Sequence, residues 1–147
     1  MLQPMKRILV ALDGSERQAL VLQTALNLAE THNAELVVFR SVAVPVDLPQ
    51  MALAAAPDAV GKILVDGARG NLEAALATAP AGRIREVRVE VGTPWYAIVE
   101  TAKSIDADLI VIGSHGYGML DRLIGTTAAK VVNHADRSVL VVRNPVT

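Results

Sequence analysis

The sequence predicts an α/β fold, a doubly wound parallel sheet of five strands in the order 3-2-1-4-5 with helices on both faces. Three observations lead there. Short apolar runs of strand length alternate with longer segments of helical periodicity along the chain, the pattern of parallel strands joined by helical crossovers. Hydrophobic residues make up 52% of the chain but aromatics only 3%, so the core is built from Val, Leu, Ile and Ala, which suits a sheet covered by alanine-rich helices. A chain of 147 residues is the size of one ordinary domain, able to bury roughly 68–70% of the surface its unfolded form exposes. Residues 1–147 therefore read as one domain, with no internal repeat.

The elements follow in order. Ile8 to Leu12 is a short apolar run ending at Asp13-Gly14-Ser15, small polar residues that suit a tight turn and a helix N-cap. From Glu16 to Thr31 the apolar positions fall mostly at helical spacing, and His32-Asn33 ends the pattern. Leu36 to Val42 gives the second strand. Residues Ala43 to Pro57 hold three prolines and a run of alanines, a long connection in which Pro57 is placed to open the next helix. That helix, Asp58 to Ala79, contains Gly61, Gly67 and Gly70, each costing roughly 1 kcal/mol against Ala in a helix interior. Pro80-Ala81-Gly82 stops it.

Arg83 to Val91 alternates charged Arg85, Glu86, Arg88 and Glu90 with apolar Ile84, Val87, Val89 and Val91 over most of its length, the pattern of a half-solvated edge strand. Thr93 then stands at an N-cap and Pro94 in the first turn of a helix reaching Ile105, where a missing N–H is tolerated. Leu109 to Ile112 is a fully apolar strand. A Gly-rich loop, Gly113 to Gly125, leads to a helix from Thr126 to Ala135 and a last strand from Val139 to Val142. In this strand order the crevice lies between the carboxyl ends of the first and fourth strands, so Asp13 and Gly113 should meet there.

Charge and residue usage exclude several functions. Net charge is −1 without a basic run, so nothing attracts a nucleic-acid backbone. The chain has no Cys, hence no disulfide framework, thiolate catalysis or cysteine zinc site. His32, His115 and His134 are scattered. No stretch approaches the ~18 apolar residues of a membrane span, and the amino-terminal apolar run is too short for a secretory signal. A cytoplasmic protein is expected.

Gly113-Ser114-His115-Gly116-Tyr117-Gly118 directly follows a buried strand, where glycines let backbone N–H groups approach an anion. Gly125-Thr126-Thr127 opens a helix, whose unpaired N–H groups and positive dipole end favour phosphate. The same glycines could simply shape a turn, with Thr126 only a cap. A Walker loop is absent, and Gly116-x-Gly118 lacks the third glycine of the dinucleotide fingerprint. Ser114 and His115 do not make a nucleophile–base pair, since chain neighbours rarely aim side chains at each other and no orienting third residue is present. His32 and His134 read as structural or surface residues, and Trp95 and Tyr96 as packing anchors beneath the sheet rather than stacking platforms.

The run GSHGYGMLDRLIGTTAAKVVNHADRSVLVV resembles the ATP-binding signature of universal stress proteins, Gly-x2-Gly-x9-Gly-Ser/Thr with its final apolar strand, and the opening ILVALDGSE resembles that family's first strand and acidic turn. The resemblance covers essentially the whole chain and is specific at both ends. It implies that Gly113 and Gly116 line phosphates with His115 between them, and that Gly125, Thr126 and Thr127 hold phosphates from the helix side. Asp13 would face the ribose or adenine, with Ala11, Leu12, Ser41, Val42 and Ile112 bordering the base, and Mg²⁺ would accompany ATP. Residues 117 to 124 number eight where the signature has nine. Asp13 could equally serve as a turn or cap residue.

The last strand, Ser138 to Val142, is apolar on both faces, yet the predicted order puts it at a sheet edge. Pairing with the same strand of a second copy would cover that edge, so a two-fold dimer is expected, as the resemblance also implies. The functional expectation is an ATP-binding regulatory stress-response protein with an unidentified protein partner and no efficient turnover. Two alternatives stay open: a dimeric interaction protein that binds no nucleotide, and a slow ATPase or autophosphorylating protein.

Overall fold

The computed structural model describes residues 4–43, 57–114 and 124–143. Among them the elements are β1 (Arg7–Ala11), α1 (Gln18–His32), β2 (Glu35–Val42), α2 (Pro57–Leu76), β3 (Ile84–Val91), α3 (Pro94–Ser104), β4 (Leu109–Gly113), α4 (Thr126–His134) and β5 (Ser138–Val142). The strands form one parallel sheet in the order β3-β2-β1-β4-β5, as predicted. The connection at residues 44–56 and most of the Gly-rich loop, residues 115–123, lie outside the described residues.

The central strands are apolar on both faces because both faces are covered. Ile8 and Val10 of β1, Leu36 and Val38 of β2 and Val111 of β4 pack with Val21, Leu22, Ala25 and Ala29 of α1 and with Ala68 and Leu72 of α2. The alternate residues Leu9, Val37, Phe39, Ile110 and Ile112 pack on the other side with Ile98, Val99 and Ala102 of α3 and with Ala128 and Val131 of α4. Alanines on the helix faces let helix and strand approach closely. Phe39 is a fully buried aromatic.

β3 alternates imperfectly, and the structure gives the reason. Its register against β2 passes from Leu36↔Ile84 to Val37↔Glu86, so Arg85 is the extra residue of a β-bulge. The two consecutive charges Arg85-Glu86 break the period, and the bulge restores it, so that Ile84, Val87 and Val89 all reach the core shared with α2.

Two helices end in the same device. Asn33 follows α1 with φ 52° and Asp106 follows α3 with φ 53°, the left-handed conformation that closes a helix through backbone bonds. Ala34 N–H reaches Ala29 O at 2.8 Å and Ala107 N–H reaches Ala102 O at 2.9 Å. An arginine then clamps each pair of carbonyls. Arg83 Nη1 donates to Ala29 O and Ala34 O at 3.3 and 3.1 Å, and Arg137 Nη1 donates to Ala102 O and Ala107 O at 2.9 Å each. Asn33-Ala34-Glu35-Leu36 and Asp106-Ala107-Asp108-Leu109 thus make the same helix-to-strand turn. Both clamps lie at the amino ends of the strands, away from the crevice.

Helix starts differ from expectation in detail. α1 begins at Gln18 with Arg17 as N-cap, later than the predicted Glu16, because Asp13 and Ser15 fold a turn of their own. Thr93 and Gly125 occupy the N-cap positions of α3 and α4, and neither supplies a side-chain cap bond. Tyr96 is 56% exposed, so it is no anchor beneath the sheet: it sits on the outer face of α3. Trp95 is half-buried, its ring 4.5 Å from that of His134 and 5.9 Å from Lys130 Nζ, joining α3 to α4.

Candidate functional site

The strand order reverses between β1 and β4, and the helices that follow these two strands leave toward opposite faces. A crevice must therefore open above their carboxyl ends. The structure has there a cavity of about 460 Å³, within the roughly 300–1,000 Å³ of small-molecule sites. Its floor is the end of β1 and the turn after it, Ala11 to Ser15, with Ser41 and Ala43 at the end of β2. Ile112, Gly113 and Ser114 close the β4 side. α1 contributes Gln18, Leu20 and Val21, α3 contributes Pro94 and Ile98, and α4 contributes Thr126, Thr127 and Ala128.

Local chemistry shapes each wall. Asp13 is exposed, and its Oδ1 accepts the Ser15 N–H at 2.9 Å, while Ser15 Oγ accepts the Arg17 N–H at 3.3 Å. These side-chain bonds replace backbone pairing in the turn. Gly14 between them has φ 77°, a conformation costly to any residue with a Cβ. The Asp13 carboxylate thus serves the turn, and Asp13 also belongs to the cavity wall. Ser41 Oγ donates to Gly92 O at 2.8 Å, tying β2 to the segment that leads into α3. Ser114 is buried, and its N–H donates to Val142 O at 3.0 Å, extending the β4–β5 pairing by one residue.

α4 presents its amino end to the cavity. Its N-cap is Gly125, which has no side chain to satisfy the first-turn amides. Thr126, Thr127 and Ala128 belong to the cavity wall, so N–H groups that have no partner within the helix and two hydroxyls stand where an anion would be favoured.

Of the residues expected from sequence, Ala11, Leu12, Asp13, Ser41, Ile112, Gly113, Thr126 and Thr127 come together in this wall, and Asp13 and Gly113 meet across the strand reversal. Val42 is not among the lining residues: Leu36, Val38 and Val42 share one face of β2, and Val42 packs against the core under α1 and α2. Gly125 caps α4 rather than lining the cavity. His115 and Gly116 lie outside the described residues. Sequence reading missed Gln18, Val21, Pro94 and Ile98. Their signal was helical spacing, Gln18 with Val21 and Pro94 with Ile98, each one turn or less into a helix that begins beside the carboxyl end of a strand.

Among the described residues no cluster of three or more His, Cys, Asp or Glu is placed to hold a metal, and no helix is long and apolar enough to cross a membrane.

Comparison with known proteins agrees with this architecture. The model of the universal stress protein family matches residues 4–143. Universal stress protein Sll1388 of Synechocystis sp. is 31% identical, the match covering 94% of this chain and 97% of that protein. A universal stress protein solved in complex with cAMP is 27% identical, with a TM-score of 0.63 over 96% of this chain and 98% of its own. The hypothetical protein MJ0577, 20% identical, superposes with a TM-score of 0.77 over 99% of this chain and 100% of its own, and so shares its fold. With a family match across nearly the whole length and a relative similar from end to end, this chain belongs to the universal stress protein family.

Proposed function

We propose that this protein binds an adenine nucleotide, ATP with Mg²⁺, in the cavity above β1 and β4, and acts as a regulatory protein of the stress response without efficient turnover. The observation that carries this reading is the pairing of that cavity with the uncapped amino end of α4. The residues fit such a ligand in size and chemistry. Apolar Ala11, Leu12, Ile98 and Ile112 offer a slot for a flat base, and Asp13 offers an acceptor for its amine or for the sugar. Thr126 and Thr127, with the amides of their helix turn, would hold phosphate oxygens, joined by Gly113, His115 and Gly116 from the Gly-rich loop. Mg²⁺ would neutralise the phosphates and be held chiefly by their own oxygens. The relative solved with cAMP supports an adenine nucleotide as the ligand class.

Titration calorimetry of the nucleotide-stripped protein with ATP–Mg²⁺, AMP and cAMP tests this, with Thr126→Val/Thr127→Val as the control. Binding that weakens in the double variant is expected. The sole tryptophan gives a second readout, because Trp95 follows Pro94 of the cavity wall and contacts Lys130 and His134 of α4. No heat and no fluorescence change with any of the three would overturn the reading.

The protein is also proposed to dimerise through β5 in the cytoplasm and to signal by contacts with another protein. Of the two sheet edges, β3 is guarded by Arg85, Glu86, Arg88 and Glu90 and by its bulge. β5 carries Val139, Leu140 and Val141 with no charge, and Leu140 is 36% exposed. An unguarded apolar edge favours strand pairing. Sedimentation at micromolar concentration should give a dimer, and a monomer alone would refute the assignment.

A further inference from the structure

Full charges are scarce on the cavity wall. Among the described residues that line it, Asp13 is the sole acid and Arg17 the sole base. Arg17 is the N-cap of α1, and its side chain makes no capping bond there. The backbone sets where it stands: the Val21 N–H donates to Arg17 O at 3.3 Å, so Arg17 lies one helical turn before Val21. Val21 in turn lies against the end of β4, since a Cβ added at Gly113 would be 3.1 Å from Val21 Cγ2. The turn of α1 that begins with Arg17 is therefore seated beside the β4 end, where the chain enters the Gly-rich loop. Thr126 and Thr127 of α4 line the same cavity, with α1 packed on one face of the sheet and α4 on the other.

An anion entering this cavity meets a carboxylate, so the balance of charge decides how many phosphates it can carry. A helix amino end offers only a partial charge, roughly half a unit, that falls off within the first turn. Without Arg17, the sole full charge on the described wall would be the Asp13 carboxylate; with it, the two side chains balance. Resting on the adenine-nucleotide reading of this cavity, we propose that Arg17 holds the phosphate chain from the α1 side and makes the protein prefer nucleotides with more phosphates, ATP over ADP over AMP. The two Thr hydroxyls and the amides of α4 grip the chain from one side of the sheet, and the guanidinium grips it from the other. Arg17 already interacts within the chain, and a guanidinium carries five N–H donors in a fork, enough to keep one partner and bond a phosphate as well. A neutral nucleoside draws no such charge-assisted bonds, so the effect of Arg17 scales with the phosphates and not with the base.

The test is calorimetry of the nucleotide-stripped protein with adenosine, AMP, ADP and ATP at constant free Mg²⁺, for wild type, Arg17→Met and Arg17→Lys. Wild type should bind ATP at least about 10-fold more tightly than AMP. Arg17→Met should weaken ATP binding by about 10- to 100-fold and adenosine binding by less than about 3-fold, the loss growing with each phosphate. Arg17→Lys keeps the charge without the fork and should recover part of the ATP affinity. Added salt should weaken ATP binding more steeply in wild type than in Arg17→Met. Thermal melting verifies that both variants fold, as expected where the N-cap side chain makes no capping bond. Equal affinity of wild type for AMP and ATP overturns the proposal while leaving the cavity reading intact. An unchanged ATP affinity in Arg17→Met overturns it too, and so does an equal loss for adenosine and ATP, which would make Arg17 a support of the turn and not a phosphate contact. If wild type binds no nucleotide, the cavity reading and this inference fall together.

Discussion

Replacing Arg137 by Ala tests the reasoning about how the sheet and its helices are held at their amino side. The Arg137 side chain is only 16% exposed, and Nη1 alone donates to two carbonyls, Ala102 O and Ala107 O, whose residues are 0% and 3% exposed. Hydrogen bonds from a charged donor are worth about 1.5–3 kcal/mol each. Its carboxylate partners add little, because Asp136 is 55% and Asp106 96% exposed and such pairs contribute about 0–1 kcal/mol. Water entering the vacated space would serve one of the two carbonyls at least partly. The expected loss is therefore about 3 kcal/mol, nearly all from the carbonyl clamp. With a urea slope near 2 kcal/mol/M, the denaturation midpoint should fall by about 1.5 M. Asp136→Asn should move it by less than about 0.5 M. A loss below about 1 kcal/mol for Arg137→Ala, or an equal loss for Asp136→Asn, would refute the assignment of the energy to the clamp.

Three further expectations follow from other parts of the molecule. Gly67 and Gly70 lie inside α2 with open space where a Cβ would project, so replacing both by Ala should add about 1–2 kcal/mol, read as a raised melting temperature; no gain would mean that α2 is not a continuous helix. Gly14→Ala forces a Cβ into the left-handed region and onto the Arg40 guanidinium, and should cost about 1–2 kcal/mol together with nucleotide affinity, while Gly82→Ala, at φ 81° but in open space, should cost only the backbone part. The hydrogen bond from Arg85 to Glu35, and that from Arg137 to Asp136, hold both carboxyls below the usual carboxylate range. A depressed folded pKa adds stability that is present above the unfolded value and lost as pH falls through the folded one, so the melting temperature should drop between about pH 5 and pH 2. The Glu35→Gln/Asp136→Asn variant should show a shallower drop, and an identical profile would contradict the assignment.

The fold and the location of the crevice were legible in the sequence because both rest on signals carried along the chain. Strand-length apolar runs, Pro94 at a helix start and Asn33 at a helix stop are one-dimensional features, and right-handed crossovers narrow the sheet they build to a few doubly wound orders, of which 3-2-1-4-5 is the natural expectation. That order alone brings Asp13 and Gly113 together, without knowledge of any side-chain contact. What the sequence could not decide depends on which residues meet after folding. Asp13-Gly14-Ser15 reads equally as a cap or as a turn, and only the bonds of Asp13 and Ser15 to the backbone show why α1 starts at Gln18. Val42 and Ser41 are neighbours in one strand, and the face packed on α1 and α2 assigned one to the core and the other to the cavity. Arg83 and Arg137 look like ordinary surface charges until each is found clamped on two carbonyls of a helix end far away in the chain. Oε1 of Gln18 and Nη1 of Arg40, buried with no hydrogen-bond partner among the described residues, have no sequence signature at all, because an unmet hydrogen bond is a property of the folded surroundings and not of either residue.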